Sequence, residues 1–323
     1  MVNKFEINGI LLLDKSSGIT SNKALQQIKR FLGTKSKAGH TGSLDPLATG
    51  MLPVCFGEAT KFSSFLLNSD KKYLVTAQLG IKTDTGDLAG TVISKEENIN
   101  YNFNEEQVNS ILQIFVGEIW QTPPIYSAIK QNGVRLYKLA REHKHNIVVN
   151  PRLITIYSIK LINICSIKKQ IILQVHCSKG TYIRSLIEDI AKKLHCLATV
   201  ATLRRIAIGD FIDSQMISIS KLENLLSTAT DPFEKIDLLI NKYLLPVKYC
   251  VSKLPVLTLD SKQIEIIFKG QQIKANDLHV KDNLICLISP NGNFLGVGEN
   301  IGNNQIKAKR LVNYMFFDKY FIN

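Results

Sequence analysis

Acidic residues are scarce in this chain. Among 323 residues there are 40 Lys and Arg against 27 Asp and Glu, a formal net charge of +13. Between Asp14 and Glu58 only one acid occurs, Asp45, in a stretch that carries Lys15, Lys23, Lys29, Arg30, Lys35 and Lys37. A balance of this kind favours an anionic partner, nucleic acid first and a membrane surface second. Paired cysteines are also missing. Cys55, Cys165, Cys177, Cys196, Cys250 and Cys286 are scattered without a C-x-x-C, which argues against a zinc site and a disulfide framework. No apolar run is long enough to span a bilayer. Ile10-Leu11-Leu12-Leu13 ends at Asp14 and reads as a buried strand rather than the core of a signal peptide, so the cytoplasm is the expected compartment. No repeat or low-complexity tract stands out. With 45% hydrophobic and 21% charged residues, the chain is expected to form one large or two ordinary globular domains.

Strand and helix signals are mixed. Gly9 to Leu13 is expected as a strand. Ser21 is expected to cap a helix with Ala24, Leu25, Ile28 and Leu32 on one face, stopped by Gly33. Tyr73 to Leu79 alternates as a strand, with Lys82 to Gly86 as a turn and Thr91 to Ile93 as the return. Asn104 should cap a helix bearing Val108, Ile111, Leu112 and Phe115. Ile171 to His176 reads as a strand, Thr181 as the cap of a helix with Ile183, Leu186, Ile187, Ile190 and Leu194 inward, and Leu203 to Phe211 as a strand. Asp231-Pro232 and Leu245-Pro246 read as loop punctuation. Beyond them, short segments around Gly and Asn (Val256 to Leu259, Leu284 to Ile288, Phe294 to Gly298) predict a small all-β unit.

The segment from Gln121 to Arg152 differs in kind. It opens with Pro123-Pro124 and carries Lys130, Arg135, Lys138, Arg141, Lys144 and Arg152, with Tyr126 and Tyr137 interleaved and Glu142 as its single acid. Bases with aromatics at intervals suit a flap that grips nucleic acid. A solvated helix with two core tyrosines is the plainer alternative.

Candidate chemistry centres on the loop Gly39-His40-Thr41-Gly42-Ser43-Leu44-Asp45-Pro46-Leu47-Ala48-Thr49-Gly50. Its glycines permit backbone angles closed to other residues, and Pro46 keeps Asp45 out of the helical region. The loop is built to hold one carboxylate in a fixed pose, although an Asp before Pro often only caps a turn. Arg184 falls in the first turn of its helix, where a cation opposes the helix dipole by roughly 0.3–1 kcal/mol. Either Glu188 at i+4 compensates, by about 0.2–0.5 kcal/mol, or Arg184 reaches a carboxylate in another loop. Paired with Asp45, it would lower that acid's pKa and keep it ionised. Tyr73 heads its strand, where it is either a cross-strand aromatic or a group that stacks on an extruded base. His40 has no partner that would make a metal site.

Taken together, these segments resemble the bacterial TruB family, tRNA pseudouridine synthases that act on the T-loop. Gly39 to Gly50 matches the family's G-H-T-G-x-L-D-P-x-A-T-G. Leu52 to Lys61 matches L-P-x-x-x-G-E-A-T-K, and Tyr73 to Asp87 matches Y-x-x-x-x-x-L-G-x-x-T-D-T-x-D. Pro123-Pro124, Tyr126-Ser127-Ala128 and Lys130 match the thumb insertion. Cys177-Ser178-Lys179-Gly180-Thr181-Tyr182-Ile183-Arg184 matches the third active-site motif, and Leu203-Arg204-Arg205 with Gly209 the motif that closes the catalytic domain. The chain departs from many relatives at Ser16, where they have Pro, and at His143, where they have Gly.

The resemblance implies an α+β pseudouridine synthase fold, a mixed and largely antiparallel sheet with flanking helices, over residues 1–247, with the thumb at about 121–152. A PUA-like RNA-binding domain is implied over 248–323. The substrate implied is uridine-55 in the T-arm of tRNA, acted on by a monomer that needs neither metal nor organic cofactor. Asp45 is implied as nucleophile, with Tyr73 and Arg184 in the catalytic centre and His40, Tyr182, Lys61 and Leu203 on the substrate. Three alternatives stay open: an RNA-folding protein whose role is not catalytic, a guide-RNA-dependent synthase, and a glycoside hydrolase. The last needs a second carboxylate, which the loop does not contain.

Overall fold

The computed structural model describes residues 7–96, 103–131, 133–142, 149–229, 231–275 and 283–313. His143 and Lys144 lie outside the described residues. In chain order the first half comprises β1 (Gly9–Lys15), α1 (Ser21–Phe31), β2 (Ala38–His40), β3 (Thr49–Phe56), α2 (Ser63–Asn68), β4 (Lys71–Leu79), the hairpin β5 (Ile81–Thr83) and β6 (Val92–Lys95), α3 (Glu105–Ile114) and β7 (Gly117–Gln121). A small hairpin, β8 (Lys130–Gln131) and β9 (Val134–Arg135), and α4 (Leu136–Arg141) lie in the basic insertion. Then come β10 (Arg152–Cys165), β11 (Gln170–Cys177), α5 (Ile183–Lys193), β12 (Ala198–Ile208), β13 (Phe211–Ile212), β14 (Ile217–Ser218), α6 (Ile219–Ser227), α7 (Pro232–Tyr243) and β15 (Leu244–Leu245).

These strands build one sheet in the order β14-β1-β3-β12-β4-β11-β10-β7. The β1–β14 and β3–β12 pairs are parallel, and the other pairs along this path are antiparallel. That is the mixed, largely antiparallel sheet expected. β1 explains why the run Ile10 to Leu13 has no polar face. Leu11 and Leu13 join the core under α1 and α6, while Ile10 and Leu12 point into a second core on the opposite face. A strand covered on both sides reads as a continuous apolar run.

The second core joins the two units. A five-stranded sheet is formed by β16 (Val256–Thr258), β17 (Ile273–Lys274), β18 (Leu284–Ile288), β19 (Phe294–Asn300) and β20 (Gln305–Leu311). Phe294 and Val312 bury against Met51, Cys55 and Phe62. The Phe62 and Phe294 rings meet edge to face with centroids 5.0 Å apart, a favoured aromatic geometry. Among the strands sits α8 (Ser261–Phe268), started by a reciprocal cap between Asp260 and Gln263, which the strand pattern alone did not indicate.

Several local expectations shift. Asn104 does cap α3, with Gln107 returning the bond, and Gly33 is left-handed after α1. The α1 cap, however, is Thr20, whose hydroxyl accepts from Lys23 N. Ser21 is turned inward instead. Asp231-Pro232 is not a loop but the start of α7. Asp231 accepts from the amides of Phe233 and Glu234, and Pro232 takes the first helical position, where its missing N–H costs nothing. Leu244-Leu245 is likewise ordered, pairing with β1. Thr181 does not cap α5. Its hydroxyl donates to the Ser178 carbonyl, and Tyr182 stands at the cap position.

Candidate active site

The Asp45 loop joins β2 to β3 and is tied down from several directions. The Ser21 hydroxyl accepts from Leu44 N at 2.8 Å and donates to Leu44 O at 3.1 Å. The Pro46 carbonyl accepts from Gly18 N at 2.8 Å and from Lys15 Nζ at 3.3 Å. Ser17 donates to the Leu47 carbonyl, and Ala48 N closes a turn on the Asp45 carbonyl. Behind the loop, Arg205 is fully buried and donates to the carbonyls of Met51 and Gly42. Gly50, at φ +95°, lies so close to the Arg205 backbone that a Cβ would collide with it. Ser21→Ala should therefore cost about 1–3 kcal/mol in denaturant melts, because it strands the buried Leu44 amide. It should also lower turnover by loosening the loop.

Asp45 meets Arg184 across this cleft, with Arg184 Nε 2.9 Å from Asp45 Oδ2. The cation is the inner partner, with a side chain 6% exposed against 39% for the acid. Arg184 sits in the first turn of α5, as expected. Its conflict with the helix dipole is offset by three acceptors in three directions: Asp45, the Thr85 carbonyl from Nη1 at 2.6 Å, and the Tyr126 carbonyl from Nη2 at 2.9 Å. The Thr85 carbonyl is placed by a tight turn. Thr83 donates to Asp87 O, Thr85 to Asp87 Oδ1, and Ala89 N to the same carboxylate oxygen. Gly86, left-handed at φ +76°, lets this turn come up against the Arg184 side chain.

The electrostatics correct one expectation. Crowding by protein raises the Asp45 pKa, Asp87 adds to the rise, and Arg184 and Lys15 oppose it. Arg184 acts in the expected direction, but burial outweighs it. Solvent reaches the carboxylate from the open side of the cleft, and protein surrounds the rest. Asp87 also corrects the view of Asp45 as an isolated acid, since folding brings this second carboxylate into its field. Lys15 is pulled down to about 8 by burial, with Asp45 opposing and Arg205 adding to the fall.

Tyr73 on β4 lies in register opposite Arg205. Burial raises its phenol pKa, against the pull of Arg205 and with a contribution from Asp45. Burial, and then Arg205, lowers the His40 pKa, so its ring is neutral at physiological pH. Its Nδ1 and the neighbouring Thr41 hydroxyl are buried without a hydrogen-bond partner among the described residues. Burial raises the Tyr182 pKa, with Arg152 and Arg184 opposing and Asp45 adding to the rise. Leu203 faces Val75 across β12 and β4, in the same core as Tyr73 and Leu44. Lys61 is held elsewhere, pairing with Glu58 at 2.7 Å and reaching the Leu311 carbonyl at 3.5 Å, at the seam with the C-terminal sheet.

The structure thus brings Arg184, Tyr73 and Tyr182 within the field of Asp45, sets His40 near Arg205 behind the loop, and adds Lys15, Asp87, Arg205 and Gln121. Reading the sequence assigned no site role to these four. Lys15 was visible only as one base among many, and Arg205 only within a motif. Among the described residues no group of three or more His, Cys, Asp or Glu gathers as metal ligands would. No helix among them is long and apolar enough to cross a membrane.

Comparison with known proteins places the chain in a family. Residues 29–183 match the profile of the TruB family pseudouridylate synthase N-terminal domain. Residues 184–252 match the tRNA pseudouridylate synthase B C-terminal domain, and residues 255–312 the C-terminal region of pseudouridine synthase II TruB. The tRNA pseudouridine synthase B of Actinobacillus pleuropneumoniae serotype 5b is 44% identical over 95% of this chain and 97% of its own. That of Tolumonas auensis is 43% identical over 95% of this chain and 93% of its own. Among solved structures, an H/ACA RNP bound to a substrate RNA containing 2′-deoxyuridine superposes with a TM-score of 0.68 at 21% identity, covering 96% of this chain and 86% of that one. A Cbf5–Nop10–Gar1 complex superposes at 0.67 and 23%, over 94% and 84%. These two show the shared fold. The sequence match along nearly the whole length shows more: the chain belongs to the TruB family of pseudouridylate synthases.

Proposed function

We propose that this protein is a tRNA pseudouridine synthase that isomerises uridine-55 of the T-loop, with Asp45 as nucleophile. The observation that carries the reading is the Asp45–Arg184 pair, its cation buried and its carboxylate open to the cleft, in a chain whose relatives are named tRNA pseudouridine synthase B. A stacked or paired uridine must leave the helix to reach that carboxylate, at a cost of a few kcal/mol. Phosphate contacts to the basic insertion and surface offset that cost by releasing counterions. His40, neutral, enters the space the base vacates. Tyr73 stacks on the uracil, and Tyr182 and Leu203 complete the pocket wall. Lys61 belongs to the RNA-facing surface rather than to the reacting atoms.

Asp45 assists rupture of the bond between C1′ and N1. The uracil turns, C5 bonds to C1′, the C5 proton leaves and N1 ends protonated, so atoms and charge balance without a co-reactant. The raised phenol pKa keeps Tyr73 protonated at neutral pH, which favours a relay from C5 through Tyr73 to a basic carboxylate over direct abstraction. Asp45, with its raised pKa, is the better-matched acceptor. On the same reading the insertion at about 121–152 grips the T-arm. The unit from about 248 is PUA-like and binds RNA; on β20 Arg310 is exposed beside Lys307 and Lys309, which share Glu299. The protein works as a cytoplasmic monomer.

The purified protein alone should release tritium from C5-labelled uridine in a transcribed tRNA and leave pseudouridine at that position. Binding without release would favour the RNA-folding alternative. Release only with an added guide RNA would favour the guide-dependent one, and free uracil would favour hydrolysis.

A further inference from the structure

The basic insertion is anchored at its base by one buried amide. Gln121, the last residue of β7, is 2% exposed and pairs in register with Arg152, where the insertion returns to the sheet. Its Oε1 accepts from Tyr182 N at 2.8 Å, and its Nε2 donates to Tyr182 O at 3.0 Å. Tyr182 is the cap residue of α5, and its own side chain makes no capping bond. An uncapped helix start leaves amides unsatisfied. Here a glutamine from another strand meets the cap residue's own amide and carbonyl. A primary amide suits that task because it offers an acceptor and donors in one plane.

Two further bonds fasten the same segment to the same helical turn. Ser185 Oγ donates to Thr122 O at 3.0 Å, and Arg184 Nη2 donates to Tyr126 O at 2.9 Å. Residues 121–126 therefore hold both the backbone that starts α5 and the guanidinium that it presents. Arg184 lies two residues beyond Tyr182, and its Nε is the atom that meets Asp45.

We infer that Gln121 is a positioning residue for the isomerisation: by tying the foot of the insertion to the start of α5, it sets Arg184 against Asp45. Its side-chain bonds go to Tyr182 and not to Asp45. The inference rests on the reading of Asp45 as nucleophile. It gives the insertion a second task besides gripping RNA, because the strand that leads into the grip also fixes the catalytic arginine.

The test is single-turnover tritium release from a C5-labelled T-arm RNA across the pH range, with RNA affinity measured separately. Gln121→Leu keeps the volume and removes both bonds. Its rate constant should fall about 10- to 100-fold, in line with a misplaced reacting geometry, while RNA affinity stays within about threefold, since no phosphate contact is lost. The acid limb of its pH–rate profile should move to higher pH. The groups that face Asp45 are Arg184 from α5, Lys15 from the end of β1 and Asp87 from the turn after β5. The variant disturbs only Arg184, which opposes the rise in the Asp45 pKa, so its loosening pushes the limb upward.

A Gln121→Leu profile that superimposes on wild type after scaling overturns the inference. Should Gln121→Leu not fold, as judged by melting, Gln121→Asn carries the same expectations, because its amide is one methylene short of Tyr182. Asp45→Asn is run alongside. If that variant turns over, the nucleophile reading fails, and if it is dead while Gln121→Leu behaves as wild type, only the present inference fails.

Discussion

Replacing Asp45 with Asn should abolish isomerisation, with a loss of about 10⁴-fold or more in single-turnover rate, the scale seen when a nucleophile is removed. The same change should leave RNA affinity intact or slightly tighter, since one negative charge facing phosphates is gone. The fold should not suffer. Burial raises the Asp45 pKa, so the native state favours the neutral acid more than the unfolded chain does. A carboxylate with a raised pKa stabilises the fold only at low pH. That contribution is lost as pH rises from the unfolded value, about 3.9, through the folded one, and at neutral pH the ionised form is a cost. A neutral isostere should therefore melt no lower than the parent at pH 7. An Asp45→Asn protein that retains turnover, or that no longer binds RNA, would remove the basis for assigning the chemistry to this side chain.

Arg184→Lys should be almost as damaging, although it keeps the charge. The guanidinium spends Nε on Asp45, Nη1 on Thr85 and Nη2 on Tyr126. One ammonium on a flexible stem cannot replace a rigid planar fork in three directions at once. We expect kcat to fall by about 10²–10³, the range for loss of one preorganised electrostatic contact, with KM nearly unchanged. Because a positive charge persists, the acid limb of the pH–rate profile should move less than it does when Arg184 is replaced by Leu. If Arg184→Lys works at the parent rate, charge alone is sufficient and the threefold anchoring has no catalytic purpose.

What could be read from the sequence and what could not divide along the range of the interaction. The Asp45 loop was legible because its information is local: three glycines, a proline after the acid and a stretch empty of other acids. Arg184 was legible as a conflict, a cation where the dipole disfavours one, which demanded a partner. Gln121 carried no such signal. Its partner, Tyr182, is 61 residues away, and an isolated glutamine at a strand end looks like any polar edge residue. Arg205 finds Gly42 across 163 positions, and Asp87 comes near Asp45 only when the turn after β5 docks beside α5. Caps failed in a different way. Ser21 and Thr181 have the right side chains for helix starts, but their hydroxyls are spent elsewhere: Ser21 on Leu44 across the fold, Thr181 on the Ser178 carbonyl in the local turn before α5. Asp231-Pro232 is ambiguous in principle, because the same dipeptide opens a turn or a helix.

The two-sided burial of β1 has a consequence for synthesis. This strand emerges early from the ribosome, yet it waits for partners from far downstream: Ile217 beside Leu13 and Leu245 beside Ile10. Its second face joins a core that takes in Phe294 and Val312, close to the end of the described chain. Lys15, which holds the Pro46 carbonyl, is the last residue of that strand. A nascent chain therefore carries the whole Asp45 motif long before it can clamp it. Domains usually fold as they emerge, N-terminal first, but here the strand that ends in the loop's clamp has partners that are made late. A chain interrupted before β14 and β15 would bear an acid-poor, strongly basic segment whose first strand lacks its partners Ile217 and Leu245.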